Sequence, residues 1–152
     1  MYLLLLLSVL CLQYGTNLEM QNETICYSFL LSESSSISIL AANDKEYISF
    51  RYGYPDSVYL EFRDFLPVDL FTGDYYVRNG GLGNSGIELT TIYYSDNNTM
   101  IEVYDGYFAE NDNFATGIIV TVDTVTVLDS EGLYFSRRGS LVQFFNDWID
   151  NE

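Results

Sequence analysis

The chain has no histidine, two cysteines, two prolines and only six basic residues among 152. Without histidine there is no Ser-His-Asp or Cys-His nucleophile system, and most catalytic zinc sites lose a ligand. Six Lys and Arg against 22 Asp and Glu give a formal charge of −16. Phosphate neutralisation needs clustered cations, so nucleic acid is not an expected partner. No Walker loop, Rossmann fingerprint, H-E-x-x-H or G-x-S-x-G is present. The glycine-rich Gly80-Gly81-Leu82-Gly83-Asn84-Ser85-Gly86 has no lysine to cradle phosphate and reads as a loop between strands.

What is present is apolar and aromatic. Hydrophobic residues make up 48% and aromatic residues 16%, with 14 tyrosines and 10 phenylalanines. A chain of this length and content folds as one domain. Leu3 to Leu12, LLLLLSVLCL, is too short to span a bilayer and has the length of a secretory h-region. Residues 1–15 read as a signal peptide ending at Gly15, and residues 16–152 as a single secreted domain. No later run has the length of a membrane span. Removal of Cys11 leaves Cys26 alone, so no internal disulfide can form. Cys26 is then either a buried thiol in a monomer or an intermolecular disulfide in a dimer. The sequons at Asn22 (Asn22-Glu23-Thr24) and Asn97 (Asn97-Asn98-Thr99) agree with secretion as glycan acceptors.

Period-2 patterning dominates. Val58, Leu60 and Phe62 alternate with Tyr59, Glu61 and Arg63, and Ile87, Leu89, Thr91 and Tyr93 alternate with Glu88 and Thr90. Further strands are expected at Ile25–Leu31, Ser36–Leu40, Tyr47–Tyr52, Tyr75–Val77, Met100–Tyr104 and Leu133–Phe135. Turn residues separate them, Thr72-Gly73-Asp74 and Ser130-Glu131-Gly132 among them. In Ile118–Leu128 the apolar phase changes at Asp123-Thr124, which marks a bulge or a tight turn; a bulged core strand is the preferred reading. The fold expected is all-β, an antiparallel sandwich or barrel. At the C-terminus, Ser140-Leu141-Val142-Gln143 has capping-box form, and Leu141, Phe144, Phe145, Trp148 and Ile149 share a helical face. Acidic residues crowd its end, against the helix dipole, and leave helix and strand both open there.

The run Ile101-Glu102-Val103-Tyr104-Asp105-Gly106 resembles the strand-and-turn signature of CUB domains, which are extracellular β-sandwich modules. Ser136 through Gly139-Ser140-Leu141-Val142-Gln143-Phe144-Phe145-Asn146-Asp147 is similar to the late strand of that family. The resemblance implies a CUB-like or jelly-roll sandwich. The four framework cysteines are absent, and of the family's calcium pair only Asp147 matches, with Thr99 at the other position.

Three groups of residues could carry function. Asp105, Glu110 and Asp112, beside Asn111 and Asn113, offer the oxygen donors that calcium prefers, although without EF-hand spacing; no other cofactor is implied. Tyrosines near strand ends (Tyr54, Tyr76, Tyr94 and Tyr107) supply rigid, amphipathic contact area. Arg137-Arg138 reads as a turn flank. With no catalytic motif, the expected function is a secreted acidic recognition module without catalysis. It would engage an extracellular protein of basic surface, or carbohydrate. The alternatives are a small glycoside hydrolase with paired carboxylates and a structural surface-coat protein.

Overall fold

The computed structural model describes residues 21–54, 57–79 and 85–150. The proposed signal peptide, with Cys11, and most of the glycine-rich loop lie outside the described residues. The protein is an antiparallel β-sandwich of two five-stranded sheets. Sheet A holds β1 (Glu23–Leu30), β2 (Ser36–Ala42), β3 (Tyr47–Tyr54) and β4 (Ser57–Phe65). Sheet B follows with β5 (Phe71–Arg78), β6 (Ile87–Asp96), β7 (Thr99–Phe108), β8 (Asn113–Val122) and β9 (Val125–Glu131). Then β10 (Leu133–Gly139) returns to sheet A beside β1, giving the orders β10-β1-β2-β3-β4 and β5-β6-β7-β8-β9. Among the described residues no helix is long and apolar enough to cross a membrane.

The two sheets are joined at two corners, each built by identifiable residues. At the first, the buried Asp64 carboxylate accepts from the backbone N–H groups of Leu70 and Asp69 at 2.8 and 3.0 Å. That holds the β4–β5 connection where backbone donors would otherwise be orphaned. At the second, only Gly132 separates β9 from β10, so one bent strand serves both sheets. A Cβ on Gly132 would sit 2.2 Å from the Phe29 ring, and the Gly132 N–H donates to Thr116 O at 2.7 Å. The bend therefore needs glycine. The expected turn at Ser130-Glu131-Gly132 is this change of sheet.

Two other expectations are corrected. Asp123 and Thr124 take φ of 49° and 69°, and Val122 pairs with Val125. Ile118–Leu128 is thus two strands joined by a two-residue hairpin, not one bulged core strand. Two successive positive φ values match the strand twist, and the phase change follows from chain reversal. Thr72-Gly73-Asp74 is not a turn but lies inside β5, paired with Tyr93, Ile92 and Thr91. Gly73 is there because Phe145 packs against it: an added Cβ would approach that ring to 2.8 Å.

The C-terminus is helical, which decides between the two readings left open. Ser140 caps α1 (Leu141–Phe144), its Oγ accepting from Gln143 N at 3.2 Å. A π-helical turn, Phe145–Ile149, continues it, with Asp150 N donating to Phe145 O at 2.9 Å. Leu141 and Phe144 are buried in the core. The apolar face outweighs the unfavourable acidic end, because burying two large side chains is worth several times a dipole interaction. The strand that the CUB resemblance would place at Leu141–Asp147 is this helix.

The core lies between the sheets. Sheet A contributes Phe29, Ile37, Ile39, Ile48 and Phe50, and sheet B contributes Ile92, Tyr94, Ile101, Val103, Ile118 and Val120. β2 is buried on both faces. On its outer face Ser38 is opposite Arg51 of β3 and Ala42 is opposite Glu23 of β1. Arg51 donates to both Glu23 carboxylate oxygens, at 2.7 Å for Nη2–Oε1, and to Glu61 of β4 at 2.9 Å. Tyr47 donates to Glu23 at 2.8 Å, and Arg63 donates to Glu61 at 2.7 Å.

Candidate functional site

The inner face of sheet B changes character along its length. Its cross-strand rows run Tyr94–Ile101–Val120, then Ile92–Val103–Ile118, then Thr90–Asp105–Thr116, then Glu88–Tyr107–Phe114. The same face is apolar where the sheets cover each other and polar, then aromatic, where it emerges. Side chains two apart on a strand share a face, so Asp105 and Tyr107 simply continue the Ile101, Val103 series out of the core. β10 and α1 close over this mouth. The resulting cleft, about 160 Å³, is lined by Glu88, Asp105, Tyr107, Phe114, Tyr134 and Arg137 among others.

Arg137 organises it. Its Nη1 donates to Asp105 and its Nη2 to the Tyr134 hydroxyl, and its guanidinium lies 3.7 Å from the Tyr134 ring centroid. Burial alone would lower the Arg137 pKa, but the bond to Asp105 outweighs it and holds the guanidinium charged. Its Nε is buried with no hydrogen-bond partner among the described residues. Beneath the cleft, Tyr27 and Thr116 hydroxyls meet at 2.7 Å, and Thr116 donates to Tyr104 O at 3.0 Å. Thr116 has one proton, so Tyr27 is the donor between them. Burial, then the nearby Asp105 carboxylate, push the Tyr27 phenol up and keep it neutral.

From Arg137 an aromatic row runs outwards. Tyr134 stacks on Phe114 at 4.7 Å, Phe114 contacts Tyr107 at 4.6 Å, and Phe135 meets Tyr134 edge-on at 5.7 Å. Phe135 is fully exposed, and Leu133 and Phe114 are 48% and 43% exposed. Phe114 on β8 and Phe135 on β10, linked through Tyr134 across the two sheets, form the kind of exposed apolar patch that monomeric proteins rarely keep without a use. Both cleft carboxylates are engaged by the chain itself. Asp105 pairs with Arg137, and Glu88 accepts from Tyr75 at 3.1 Å.

Of the residues singled out from sequence, the structure gathers three here. Asp105 and Tyr107 line the cleft, and Asp112 accepts from the Tyr107 hydroxyl at 3.0 Å, which raises that phenol's pKa. Glu110 is exposed on the β7–β8 loop. Among the described residues no three acidic, Cys or His side chains converge in a way that could hold a metal ion. Asp105, Glu110 and Asp112 therefore do not form one donor cluster, because Asp105 turns inward to Arg137.

The four tyrosines expected at the surface do not form one surface. Tyr94 is 3% exposed and packs against Phe62 and Phe71, so it belongs to the core rather than the surface. Its row is the apolar end of sheet B. Tyr76 is 49% exposed on the edge strand β5, and Tyr54 is 40% exposed at the end of β3, edge-on to Tyr59. Asn22 and Asn97 are both exposed in turns, and Asn97 Nδ2 donates to Asp96 at 2.7 Å. Cys26 is half-buried on β1 and in no disulfide. Burial, reinforced by Asp147, pushes its thiol up to about 11, which makes it a poor nucleophile at neutral pH.

The sequence reading missed Phe114, Tyr134, Phe135 and Arg137. Arg137 is a correction, since it is the centre of the cleft and not a turn flank. Alternation offered no signal for Arg137, because the register of β10 on β1 shifts between the Leu30–Leu133 and Ser28–Arg138 pairs and breaks the phase along the strand. Comparison with protein-family profiles, with curated proteins and with solved structures finds no match to this chain.

Proposed function

We propose that the protein is a secreted, non-catalytic recognition module whose aromatic row engages an extracellular protein with a basic surface. The observation that carries this is Phe135, fully exposed at the end of a continuous row of rings. Aromatic anchors at the centre of a patch supply most of the affinity of protein interfaces. The chain's charge of −16 supplies steering towards cations. The Arg137–Tyr134 contact shows that these rings accept a guanidinium on their face. Carbohydrate is the second reading, favoured by one observation: exposed rings stand directly beside Glu88, Asp105 and Arg137, whose polar atoms suit hydroxyl groups.

The test is capture from extracellular fluid by immobilised wild-type protein and by a Phe114→Ser/Phe135→Ser variant of unchanged charge. The same partner should be retained at low salt, released at high salt, and absent from the variant at either. Capture indifferent to both the variant and the salt would defeat the proposal. Retention in high salt that is competed away by free sugars would favour the carbohydrate reading.

A further inference from the structure

A second opening between the sheets differs from the cleft in every respect except its tyrosines. It is a groove of about 250 Å³ lined by Phe50, Tyr52, Tyr59 and Leu60 from sheet A and by Ile118, Val120, Val127 and Leu128 from sheet B. None of these residues is charged, in a chain where 28 of 152 residues (22 acidic and 6 basic) are. Its floor is the core itself, since Phe50, Ile118 and Val120 are buried there. Its rim is exposed: Tyr59 is 75% and Val127 61% accessible, and Tyr52 and Tyr59 present ring centroids 6.3 Å apart. The opening follows from the topology. β4 and β9 are edge strands of different sheets and are not hydrogen-bonded to one another, so their facing side chains leave space that no chain connection closes.

We propose that this groove is a binding site for a small, neutral, apolar molecule, with two fused rings or a short hydrocarbon chain. Three observations support that occupant. The lining offers dispersion contacts and ring faces but no ion partner, so a charged ligand would lose its hydration without compensation. An acid is further opposed by the field of a chain at −16. The volume sets the size: an apolar cavity of about 150 Å³ takes up benzene, so roughly two-thirds as much again accommodates a second ring. Water gains nothing in such a space, and an apolar ligand restores the contacts that the lining lacks. A second copy of the chain is disfavoured as the occupant by the repulsion of like charge.

The experiment is a fluorescence titration of the full chain with N-phenylnaphthylamine, a neutral apolar probe, beside an anionic naphthalene sulfonate. The neutral probe should bind saturably with one site per chain, and the anionic one at least about tenfold more weakly. Leu128→Trp, which fills the groove from a half-buried position, should weaken the neutral probe by about tenfold or more. Tyr59→Ala removes an exposed rim ring and should weaken it several-fold with the far-UV spectrum unchanged. Phe135→Ser should bind the probe as wild type does, which separates this site from the aromatic row. The proposal is overturned by absence of saturable binding to the wild type, or by wild-type affinity in both groove variants. It is equally overturned if sedimentation shows a dimer whose dissociation alone exposes the probe site.

Discussion

Arg51 and Arg137 are each paired with a carboxylate across strands, yet they do opposite things. Arg51 is fully buried and bridges three strands of sheet A through Glu23 and Glu61. Arg137 and Asp105 keep 27% and 19% of their side-chain surface exposed at the mouth of a cleft. Identical pairing chemistry becomes framework in one place and an available surface in the other, and burial decides which. A desolvated guanidinium cannot be exchanged for water, whereas a rim guanidinium can trade its partner for a ligand at little cost.

The difference is broken most severely at Arg51. Arg51→Ala leaves the buried Glu23 carboxylate without its guanidinium and should cost about 3–5 kcal/mol, read as a fall in the urea midpoint with unchanged slope. Replacing both partners together, Arg51→Met with Glu23→Leu, should recover most of that loss, because an apolar pair of similar volume removes the unpaired charge. A single variant that unfolds no more easily than wild type would show that the pair is not framework.

The second break is at Gly132, which carries the strand from sheet B, where it pairs β8, to β10 and Arg137. Gly132→Ala drives a methyl into the Phe29 ring 2.2 Å away. The cost should be about 1–3 kcal/mol, the usual scale of overpacking. Because Arg137 lies on the displaced strand, the row from Tyr107 to Phe135 should shift too, visible as a changed near-UV tyrosine spectrum. Stability loss without a spectral change would uncouple the bend from the cleft.

The contrast between the two arginines also explains what the sequence could and could not reveal. In sheet B the two-sheet class and the Ile101, Val103 alternation of β7 were legible, but β6 was read on the wrong face. Ile87, Leu89, Thr91 and Tyr93 looked like its apolar side, whereas Ile92 and Tyr94 enter the core and Glu88 and Thr90 continue that face outwards. In sheet A, β2 reads Ser-Ile-Ser-Ile-Leu-Ala-Ala and is buried on both faces. A serine there looks like a solvent position, although Ser38 is buried opposite Arg51, which bonds Glu23 two strands away. Long-range pairing of this kind leaves no periodic trace. The cleft was half legible: Asp105, Tyr107 and Asp112 stood out as an acidic, tyrosine-bearing stretch. Their partners Tyr134 and Arg137 come from some 30 residues downstream, and only the sheet-switching bend brings them together.

A smaller effect comes from acid. Burial would raise the Glu61 pKa, but hydrogen bonds from Arg51 and Arg63 outweigh it and hold the carboxyl below its ordinary value of 4.5. The folded state therefore binds fewer protons than the unfolded chain in this range, so the pairing contributes stability above pH 4.5 that is lost as pH falls further. Glu61→Gln should cost about 1 kcal/mol at pH 7, the scale of a partly exposed ion pair, and flatten the acid limb of the stability profile. An acid limb identical to wild type would remove Glu61 from the network.

The smallest effect on stability, and the sharpest contrast with Arg51, belongs to Arg137→Ala. A partly exposed pair contributes about 0–1 kcal/mol, so the urea midpoint should move little. The Phe114–Tyr134 stack keeps its own ring contact when the guanidinium is gone. Capture of a basic partner should nonetheless rise, since Asp105 and the face of Tyr134, both occupied by Arg137 in the wild type, are then open to a cation of the partner. A variant as unstable as Arg51→Ala would show that Arg137 is framework as well, and the distinction drawn from burial would fall. A variant of wild-type stability and wild-type capture would leave the aromatic row as the whole of the binding surface, with Arg137 merely beside it.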